Sequence, residues 1–519
     1  MNSSFEPGTP LSSVSASSVP VPVPVPLVSA SSVPVSVPLV SASSVAVSSS
    51  AARLPYPLAV ADCAVDSVAA CLGAAGDLAE ARTGRRPVIE LGDEHVAAAV
   101  RSEVWLRDAG GRGIGGFAPL SRLWEAADGW VRTHANYPWH REALLAALGV
   151  TGDPDAVAAA IRSREAAEVE RVVYEHGGLA VAARTAAQWS AGQGTAGQRA
   201  AGQGTAGQRA AGQGTAGQRA AEPGTTERRT VSAGPDLREV PLIGIERIGT
   251  GEPLPPAGVL PASGLRVLDL TRVIAGPVGT RMLGALGADV LRVDDPNRPE
   301  LPLHAVDGII GKASCLLDGV AERAVLDGLV AAADVVVTGY RPGAMRRLGL
   351  DPATIAERHP GTIVATLSAW GAEETRDVAG AAAVWGSRRG FDSLVQVACG
   401  IGMATSVDGE RPGALPCQLL DHASGYLLAA GVLTALANRE RNGEVGHVSV
   451  SLARTGKWVL EREGGSAFEE RAADDHRVDL GGGWSGISPP GRLDARALEW
   501  PHLPPAYGRS EAAYNSSSR

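Results

Sequence analysis

The segment Gly264–Val278, GLRVLDLTRVIAGPV, decides the predicted fold, because it has the pattern of a β-strand, a tight turn and the start of a helix. An apolar run over 266–270 predicts the strand, and Gly276 and Pro277 mark the turn. Proline suits the first turn of a helix, where its missing N–H group is not needed. A second strand is predicted over 289–293, so the segment forms a strand–helix–strand unit that indicates a parallel sheet.

Strands and helices continue to alternate after this unit. A helix is predicted over 321–332, a strand over 334–338 and a further strand over 362–367. Such alternation is typical of an α/β protein with a doubly wound, Rossmann-like parallel sheet. In this fold class, ligands bind at the carboxyl ends of the strands.

A second informative segment, Leu419–Gly425, contains the candidate reactive carboxylate, Asp421. The apolar residues over 425–437 predict a buried helix, and Gly443 is a plausible C-cap. Asp421 is therefore expected near the helix N-terminus, where free N–H groups and the helix dipole favour an ionised carboxylate. An ionised carboxylate can attack an activated acyl carbon, although an aspartate at this position is more commonly an N-cap.

Five motifs, in this order along the chain, resemble family III CoA-transferases of the CaiB/BaiF type, which include formyl-CoA transferase and the methylacyl-CoA racemases. Ordered matches are far more specific than any single motif, and they favour the nucleophile over the N-cap as the role of Asp421. The motifs are Val267–Pro277, Leu286–Val293, Arg341–Gly349, Arg389–Gln396 and Leu420–Gly425.

The resemblance implies a large CoA-binding α/β domain, a smaller α+β domain and a homodimer. It also implies that CoA moves between an acyl-CoA and a carboxylic acid, with Asp421 forming a covalent intermediate and no metal taking part. Arginine and lysine suit the phosphates of coenzyme A, and tyrosine can pack on its adenine. The residues that the resemblance places against CoA are Arg272, Ala275, Lys312, Tyr340, Arg341 and Arg347.

Two positions depart from the family pattern. Gly311–Ser314 lacks an arginine that relatives often carry after the lysine. Phe391 precedes Asp392 where the racemases have a catalytic histidine, which argues against racemisation. An acyl-CoA racemase is still the first alternative, because Asp392 or a histidine of the small domain could carry the proton. A non-catalytic CoA-binding relic of the family is the second alternative, and Lys312 and Tyr340 could equally be packing residues.

An internal repeat links two distant parts of the chain. Asp62 and Gly84 echo Asp421 and Gly443 at the same spacing, with a helical pattern between the members of each pair. Asp62 lacks the glycine that follows four residues after Asp421. We interpret Asp62 as a structural relic of the repeat and not as a second nucleophile.

The order of the family-like halves is unusual. Residues 117–140 resemble the start of the family's small domain, which normally follows the reactive segment. We therefore predict a rearranged chain, with a family-like latter half at 55–190 followed by the CoA-binding half with the catalytic aspartate at 241–460. Permutation is tolerated where chain ends are exposed. His134 and His140 are interpreted as packing or surface groups and not as metal ligands.

Three further segments complete the predicted organisation. Residues 1–54 are rich in Ser, Val and Pro and are expected to be disordered, and residues 461–519 are expected to form a C-terminal tail. Residues 191–240 include three identical copies of AGQGTAGQRA, which offer no apolar anchors for a core. This segment is predicted to be a flexible linker.

Composition excludes several classes of protein. The chain has 519 residues and a formal net charge of −9, so it offers no general basic surface for nucleic acid. It has no apolar run of the about 20 residues that a membrane span needs, and its first residues lack a basic start and an uninterrupted apolar core, so we expect no secretory signal. Its five scattered cysteines show no metal spacing and indicate a reducing compartment. We expect a cytoplasmic protein without a metal.

Overall fold

The computed structural model describes residues 35–36, 44–191, 237, 240–256, 258–371, 385–470, 473–501 and 506–515. Most of the segment predicted to be disordered, and nearly all of the predicted linker, lie outside the described residues. The domain boundaries predicted above stay predictions.

Nineteen strands are found among the described residues, and an eight-stranded sheet is the largest assembly that they form. In chain order the strands are β1 (Val35–Ser36), β2 (Ala46–Ser48), β3 (Arg53–Pro55), β4 (Ile89–Gly92), β5 (Leu123–Ala126), β6 (Gly129–Thr133), β7 (Ala180–Ala182), β8 (Gly244–Thr250), β9 (Arg266–Leu270), β10 (Asp289–Asp294), β11 (Ala313–Leu316), β12 (Val335–Thr338), β13 (Ile363–Ser368), β14 (Glu444–Ser451), β15 (Ser466–Phe468), β16 (Arg477–Gly481), β17 (Trp484–Ile487), β18 (Arg492–Leu493) and β19 (Arg496–Ala497).

Helices flank this sheet and build the smaller units around it. In chain order they are α1 (Val60–Thr83), α2 (Asp93–Ala99), α3 (Ser102–Trp105), α4 (Pro138–Leu148), α5 (Pro154–Arg162), α6 (Ala166–Glu175), α7 (Ala186–Ser190), α8 (Ala275–Ala285), α9 (Pro302–Asp307), α10 (Arg323–Ala332), α11 (Pro342–Arg347), α12 (Pro352–Arg358), α13 (Asp392–Cys399), α14 (Ile401–Ala404), α15 (Leu419–Asn442) and α16 (Leu452–Glu461).

The large sheet has the order β1-β8-β14-β13-β12-β9-β10-β11. The six strands from β14 to β11 are parallel, whereas β8 and β1 add antiparallel at the β14 edge. All four residues of β12 and all six of β10 are buried, as expected for strands covered on both faces. The predicted α/β class with a large, mostly parallel sheet is confirmed.

The strand order reverses between β9 and β12. From β9 the chain builds outward through β10 to β11, then returns to the other side of β9 and builds β12, β13 and β14. In open α/β sheets, the loops that follow the two strands at such a reversal diverge and leave a crevice at the carboxyl edge. The turn between β9 and α8, residues 271–274, therefore lies beside the loop that follows β12.

The two repeat helices pack against each other. Helices α1 and α15 each contain 24 residues, and each ends at a left-handed glycine, Gly84 at φ 74° and Gly443 at φ 72°. They contact one another extensively, and the Arg441 guanidinium near the end of α15 donates to the Asp77 carbonyl near the end of α1. The internal repeat thus corresponds to a side-by-side pair of equal helices at the centre of the protein.

Helix α15 also packs closely on α8. A Cβ atom on Gly425 would lie 2.4 Å from the Ala275 carbonyl oxygen, and one on Gly279 would lie 2.7 Å from the Gly425 carbonyl oxygen. Neither glycine can gain a side chain without a shift of backbone. Gly425, four residues after Asp421, is therefore needed for the close contact between α8 and α15, the helix that carries the candidate nucleophile.

A separate small α+β unit lies between residues 117 and 182. The antiparallel sheet β5-β6-β7 packs with α4, α5 and α6 around its own hydrophobic core, which includes Leu144, Val157, Ile161, Val169 and Val173. Helices α5 and α6 are amphipathic, with apolar residues on one face and polar residues on the other, so only one side of each helix is buried.

Two segments that were predicted to lie outside the folded domains contribute short strands. The segment predicted to be disordered up to residue 54 already contributes β2, which pairs with β4. The predicted C-terminal tail contributes β15, which pairs with β3, and β18, which also pairs with β4. Short strands such as these carry little local signal, because their stability comes from partners far away in the sequence.

One helix among the described residues, Leu419–Asn442, is long and apolar enough to cross a membrane by length and composition alone. However, 94% of its most apolar stretch is buried inside the protein, as it would be in a core helix.

Candidate active site

The predicted nucleotide-binding residues follow the carboxyl ends of the central strands. Arg272 comes directly after β9, and Tyr340 and Arg341 come directly after β12. Helix α8 begins at Ala275, so Pro277 lies in its first turn, where a missing N–H costs nothing. The structure thus brings these residues to the reversal point of the sheet.

Asp421 lies in the first turn of α15 and is 6% exposed. Its backbone N–H donates to Oδ2 of Asp392 at 3.0 Å. Asp392 is the first residue of α13, is 1% exposed, and also accepts from the Gln396 side-chain amide. Two buried carboxyl groups therefore share one site, with the hydrogen-bond donors directed at Asp392.

This arrangement corrects the expectation that Asp421 is held in its ionised form. Burial raises the pKa of Asp421 well above its usual range, and the charges of Asp392 and Glu103 raise it further. The favourable effect of a helix N-terminus, about 0.3–1 kcal/mol at exposed sites, is the smaller contribution. Burial also raises the pKa of Asp392 to about 6, although the N–H donors oppose this. Both shifts favour a shared proton on the pair in the free protein.

A third acidic residue reaches this site from the N-terminal half. Glu103 of α3 accepts from Nε2 of His422 at 2.7 Å, and both residues are buried. Next to it, Ser102 accepts from the buried guanidinium of Arg281 on α8 at 2.7 Å. The rearranged N-terminal half therefore contributes side chains beside the candidate nucleophile, which no local sequence pattern indicated.

Arg272 and the strained residue after it are held by one carboxylate. Arg272 contacts Glu300 at 3.3 Å, and the Val273 N–H donates to the same carboxylate at 3.1 Å. Val273 has φ 68°, a conformation that is a genuine outlier for a β-branched residue and that persists only when its surroundings enforce it. Burial opposes ionisation of Glu300, but Arg292 and Arg272 lower its pKa to about 2. The Glu300 carboxylate is therefore ionised, and its contacts with Arg272 and the Val273 N–H fix the conformation of the turn.

Lys312 lies beneath this turn. It is fully buried, and its ammonium group contacts Oδ2 of Asp269 at 2.8 Å, Oγ1 of Thr280 at 2.6 Å and the Pro277 carbonyl at 3.0 Å. Burial lowers the pKa of Lys312 to about 8, while Asp269 opposes this shift. All three donors of the ammonium are used within the protein. A contact between Lys312 and a CoA phosphate, as predicted, would require the ammonium to leave these partners, which in this structure link β9 to α8.

The remaining predicted CoA residues differ in accessibility. Ala275 is 4% exposed under the close contact with α15. Tyr340 is partly buried and packs against the apolar cluster on the β12 side of the sheet. Arg341 is half-buried and Arg347 is exposed, at the two ends of the short helix α11.

Two arginines that were not among the predicted CoA residues, Arg389 and Arg298, lie near Arg341. We call Arg341, Arg389 and Arg298 the cationic surface. Arg389 is half-buried, and its pKa is lowered by burial first and then by the neighbouring charges of Arg341 and Arg298. Among the described residues, no carboxylate forms an ion pair with the guanidinium group of Arg341, Arg389 or Arg298. Arg298 also lies 5.4 Å from the ring centroid of Trp139. Arg389 stands in a recognised motif, but nothing in the local sequence marked Arg298.

The repeat partner of the candidate nucleophile has a different environment. The Asp62 side chain is 36% exposed and pairs with Arg53 at 2.6 Å. It has no second carboxyl group hydrogen-bonded to its backbone among the residues described. Asp62 and Asp421 therefore provide a matched pair of aspartates in the same turn of equivalent helices, only one of which is enclosed.

No group of three or more His, Cys, Asp or Glu side chains that could hold a metal ion occurs among the described parts of the chain. The five cysteines are all free and buried.

The carboxyl pair predicts a defined pH dependence. If Asp421 must ionise to react, activity will be low in acid and will rise as the pH passes its raised pKa. The Asp392→Asn substitution removes a neighbouring negative charge but keeps an acceptor for the Asp421 N–H. It should therefore shift the acidic limb of the kcat/KM profile to lower pH. Asp408→Asn, at an exposed position, is the control. An unchanged limb in Asp392→Asn would contradict coupling of the two carboxyl groups.

Comparison with known proteins assigns a class to this site. Residues 262–482 match the family described as CoA-transferase family III. The matched range contains the turn after β9, the loop after β12, Asp392 and Asp421. The resemblance predicted from the sequence is confirmed for this part of the chain, which matches that family.

Individual relatives share part of their length with this chain. A probable fatty acyl-CoA transferase of Mycobacterium tuberculosis, Rv3272, is 36% identical over 207 residues, which are 37% of this chain and 50% of the relative. An acetyl-CoA:oxalate CoA-transferase of Acetobacter aceti is 33% identical over 214 residues, which are 38% of this chain and 52% of the relative. A crystal structure of Rv3272, at 33% identity, covers 41% of this chain and 57% of that chain with a TM-score of 0.35. The chain spans about half the length of the curated relatives that it matches.

Proposed function

We propose that this protein transfers CoA from an acyl-CoA to a carboxylic acid, with Asp421 as the nucleophile. The observation that supports the proposal most strongly is the pair Asp421 and Asp392, enclosed within the family III segment and next to the carboxyl edge of a parallel sheet. The strand order of that sheet, with its reversal at β9 and β12, supports the predicted Rossmann-like description of the large domain.

The chemistry can be written as four acyl exchanges. The ionised Asp421 attacks the thioester carbonyl, the C–S bond breaks, and a mixed anhydride and CoA thiolate form. The thiolate attacks the aspartyl carbonyl and releases the original acyl group as a carboxylate, which leaves an aspartyl-CoA thioester. The acceptor carboxylate then attacks this thioester, the C–S bond breaks, and a second anhydride and CoA thiolate form. Finally the thiolate attacks the acceptor's acyl carbon and regenerates Asp421.

The residues of the site have separate roles in this scheme. Asp392 holds the backbone at Asp421 and delays loss of its proton until the substrate enters. Asp421 is 6% exposed, so the acyl-CoA must displace neighbouring groups to reach it. A non-catalytic CoA-binding relic of the family could enclose Asp421 in the same way. Only a covalent intermediate on Asp421 therefore distinguishes a CoA-transferase from such a relic.

The test of this proposal is covalent trapping. The protein is incubated with acetyl-CoA, succinyl-CoA and a longer acyl-CoA, treated with hydroxylamine and digested, and the mass of the peptide with Asp421 is measured. We expect a hydroxamate on Asp421 that appears only with acyl-CoA. CoA binding without an adduct on Asp421 would exclude the covalent scheme and favour the non-catalytic alternative.

The cationic surface predicts how CoA is held. We propose that Arg341, Arg389 and Arg298 face the phosphates, since they are near one another and lack acidic partners among the described residues. Arg389→Gln and Arg341→Gln should each raise the KM for acyl-CoA by about tenfold, because each charge-assisted hydrogen bond contributes about 1.5–3 kcal/mol. Arg171→Gln, an exposed arginine paired with Glu175, is the control. Equal KM values for all variants would place CoA elsewhere.

One observation favours acyl-CoA racemisation as a second candidate. His134 from the small unit stacks on Phe391, with ring centroids 3.7 Å apart and the planes 6° from parallel. A histidine therefore does lie beside the position where the racemases carry one. Exchange of the α-proton of a branched acyl-CoA in D2O, lost in His134→Phe, would support this candidate over CoA transfer.

Location and assembly are further proposals. We place the protein in the cytoplasm, because its cysteines are free and its proposed substrate is an intracellular thioester. The predicted homodimer rests on the family resemblance.

A further inference from the structure

Two aromatic side chains of the small unit lie against arginines at the carboxyl edge of the large sheet. Tyr137 precedes α4 and Trp139 is the second residue of that helix, and their rings are stacked with centroids 4.8 Å apart. The Arg272 guanidinium lies 5.3 Å from the Tyr137 ring centroid, and the Arg298 guanidinium lies 5.4 Å from the Trp139 ring centroid. Both distances are within the range of a cation–π interaction, about 6 Å. The small unit therefore contacts two of the proposed CoA residues through one pair of rings.

Arg272 is held firmly inside the protein. Its guanidinium donates to the Glu300 carboxylate, which also accepts the Tyr137 hydroxyl. The same guanidinium donates to the backbone carbonyl of Arg298 at 2.8 Å and to that of Pro299 at 3.0 Å. These four hydrogen bonds occupy most of the five donors of a guanidinium. Arg272 is thus a fixed group, and one of its contacts fixes the backbone of Arg298.

The Arg298 side chain has a different environment. It is exposed on the loop that joins β10 to α9, and among the described residues it forms no ion pair and no side-chain hydrogen bond. Pro296 and Pro299 restrict the backbone on either side of it. A long, exposed side chain otherwise samples many rotamers, so the Trp139 ring limits where this charge can lie. The backbone of Arg298 is therefore placed by Arg272, and its guanidinium by Trp139.

The placement gathers like charges at one edge of the sheet. Strands β10 and β12 are parallel to β9 on its two sides, so the loops that follow them reach the same edge. Burial first, and then the charges of Arg341 and Arg298, lower the pKa of Arg389. Three cations near one another without acidic partners repel each other, and a polyanion offsets this repulsion. The phosphates of CoA would supply such an anion, and guanidinium groups bind phosphates well.

We propose that Trp139 is a positioning residue for the nucleotide part of CoA: its ring, stacked on Tyr137, holds the Arg298 guanidinium where it can pair with a phosphate. This inference rests on the proposed function, and it assigns part of the specificity for CoA to the small unit. A thioester of pantetheine, which has no phosphate, does not use this contact. The protein should therefore prefer acyl-CoA to acyl-pantetheine, and part of the preference should depend on Trp139.

The first experiment compares acyl-CoA with acyl-pantetheine as the donor. Trp139→Leu should raise the KM for acyl-CoA about fivefold with little change in kcat, which corresponds to one cation–π contact. It should leave kcat/KM for acyl-pantetheine unchanged. Trp139→Phe keeps a ring and should restore most of the affinity. Trp130→Leu is the matched control, because Trp130 is a half-buried residue of the same unit whose ring centroid lies 5.5 Å from the exposed Arg411.

A double-mutant cycle separates positioning from a general loss of structure. If Trp139 acts through Arg298, then Trp139→Leu should have no further effect on the KM for acyl-CoA once Arg298→Gln is present. Additive effects of the two substitutions would overturn the positioning role. An equal loss with acyl-pantetheine would overturn it as well, because that substrate cannot report on a phosphate contact.

Calorimetric titration with CoA separates failure of this inference from failure of the proposed function, because binding needs no turnover. Weaker CoA binding in Trp139→Leu than in Trp130→Leu supports the positioning role, even if hydroxylamine reveals no adduct on Asp421. An adduct on Asp421 together with equal CoA affinity in the wild type and Trp139→Leu would overturn the positioning role and leave CoA transfer intact. A wild-type protein that binds no CoA would overturn both.

Discussion

Replacement of Asp421 by asparagine should reduce CoA transfer by at least about a thousandfold, because the covalent route is lost with its nucleophile. Asparagine has nearly the same shape, and the backbone N–H that donates to Asp392 is retained. The substitution also removes a buried acid whose ionised form is opposed by Asp392 and Glu103. The thermal stability of the variant should therefore equal or exceed that of the wild type.

The control for this experiment is supplied by the chain itself. Asp62→Asn changes the equivalent residue of the repeat helix, which is an exposed partner of Arg53, and should leave transfer unchanged. Rates are measured by separating acyl-CoA products, and folding is followed by thermal denaturation of all three proteins. Retention of transfer in a folded Asp421→Asn protein would show that another group carries the reaction.

Replacement of Lys312 by methionine should have the largest effect on stability. Lys312 and Asp269 both have fully buried side chains, 2.8 Å apart. Burial alone would raise the pKa of Asp269, but Lys312 and Arg292 lower it, so the carboxylate is charged in the folded protein. Removing the lysine leaves that charge without its main partner, and breaking such a pair costs about 3–5 kcal/mol.

The free energy of unfolding in urea gives the measurement, and Lys457→Met provides the control. Lys457 forms an exposed pair with Glu461 on α16, and such pairs contribute about 0–1 kcal/mol. A loss below about 1 kcal/mol in Lys312→Met would show that Lys312 is not essential to the fold and would restore its candidacy as a phosphate ligand. A full loss would establish that it ties the turn after β9 to α8.

Much of the central fold was predictable because its signals are local. The run over 266–270 forms β9, and the predicted strands and helices that follow β9 occur in the expected order. The helix that ends at Gly443 was also correctly predicted. A buried parallel strand is mostly apolar along its length, and a helix commonly ends at a glycine that can adopt a left-handed conformation. These requirements are written in consecutive residues and need no knowledge of distant partners.

The ionisation of the site was not predictable in this way. Asp421 at a helix N-terminus indicated an ionised group, whereas burial next to Asp392 and Glu103 favours a proton on it. These three residues come from α15, α13 and α3, so their proximity depends on the packing of the complete chain. The resemblance placed Lys312 against CoA, with packing as an equal alternative, and only the structure shows its enclosed contact with Asp269.

By itself, the sequence determined the α/β class, the repeat helices and the segment that resembles the CoA-transferase family, because periodicity and ordered motifs are properties of contiguous residues. Only the tertiary structure decided which charges are enclosed, which arginines lack partners, and how His134 and His140 come to lie beside Phe391. Electrostatic energies depend on distance and burial, and both are set by residues that are remote in sequence.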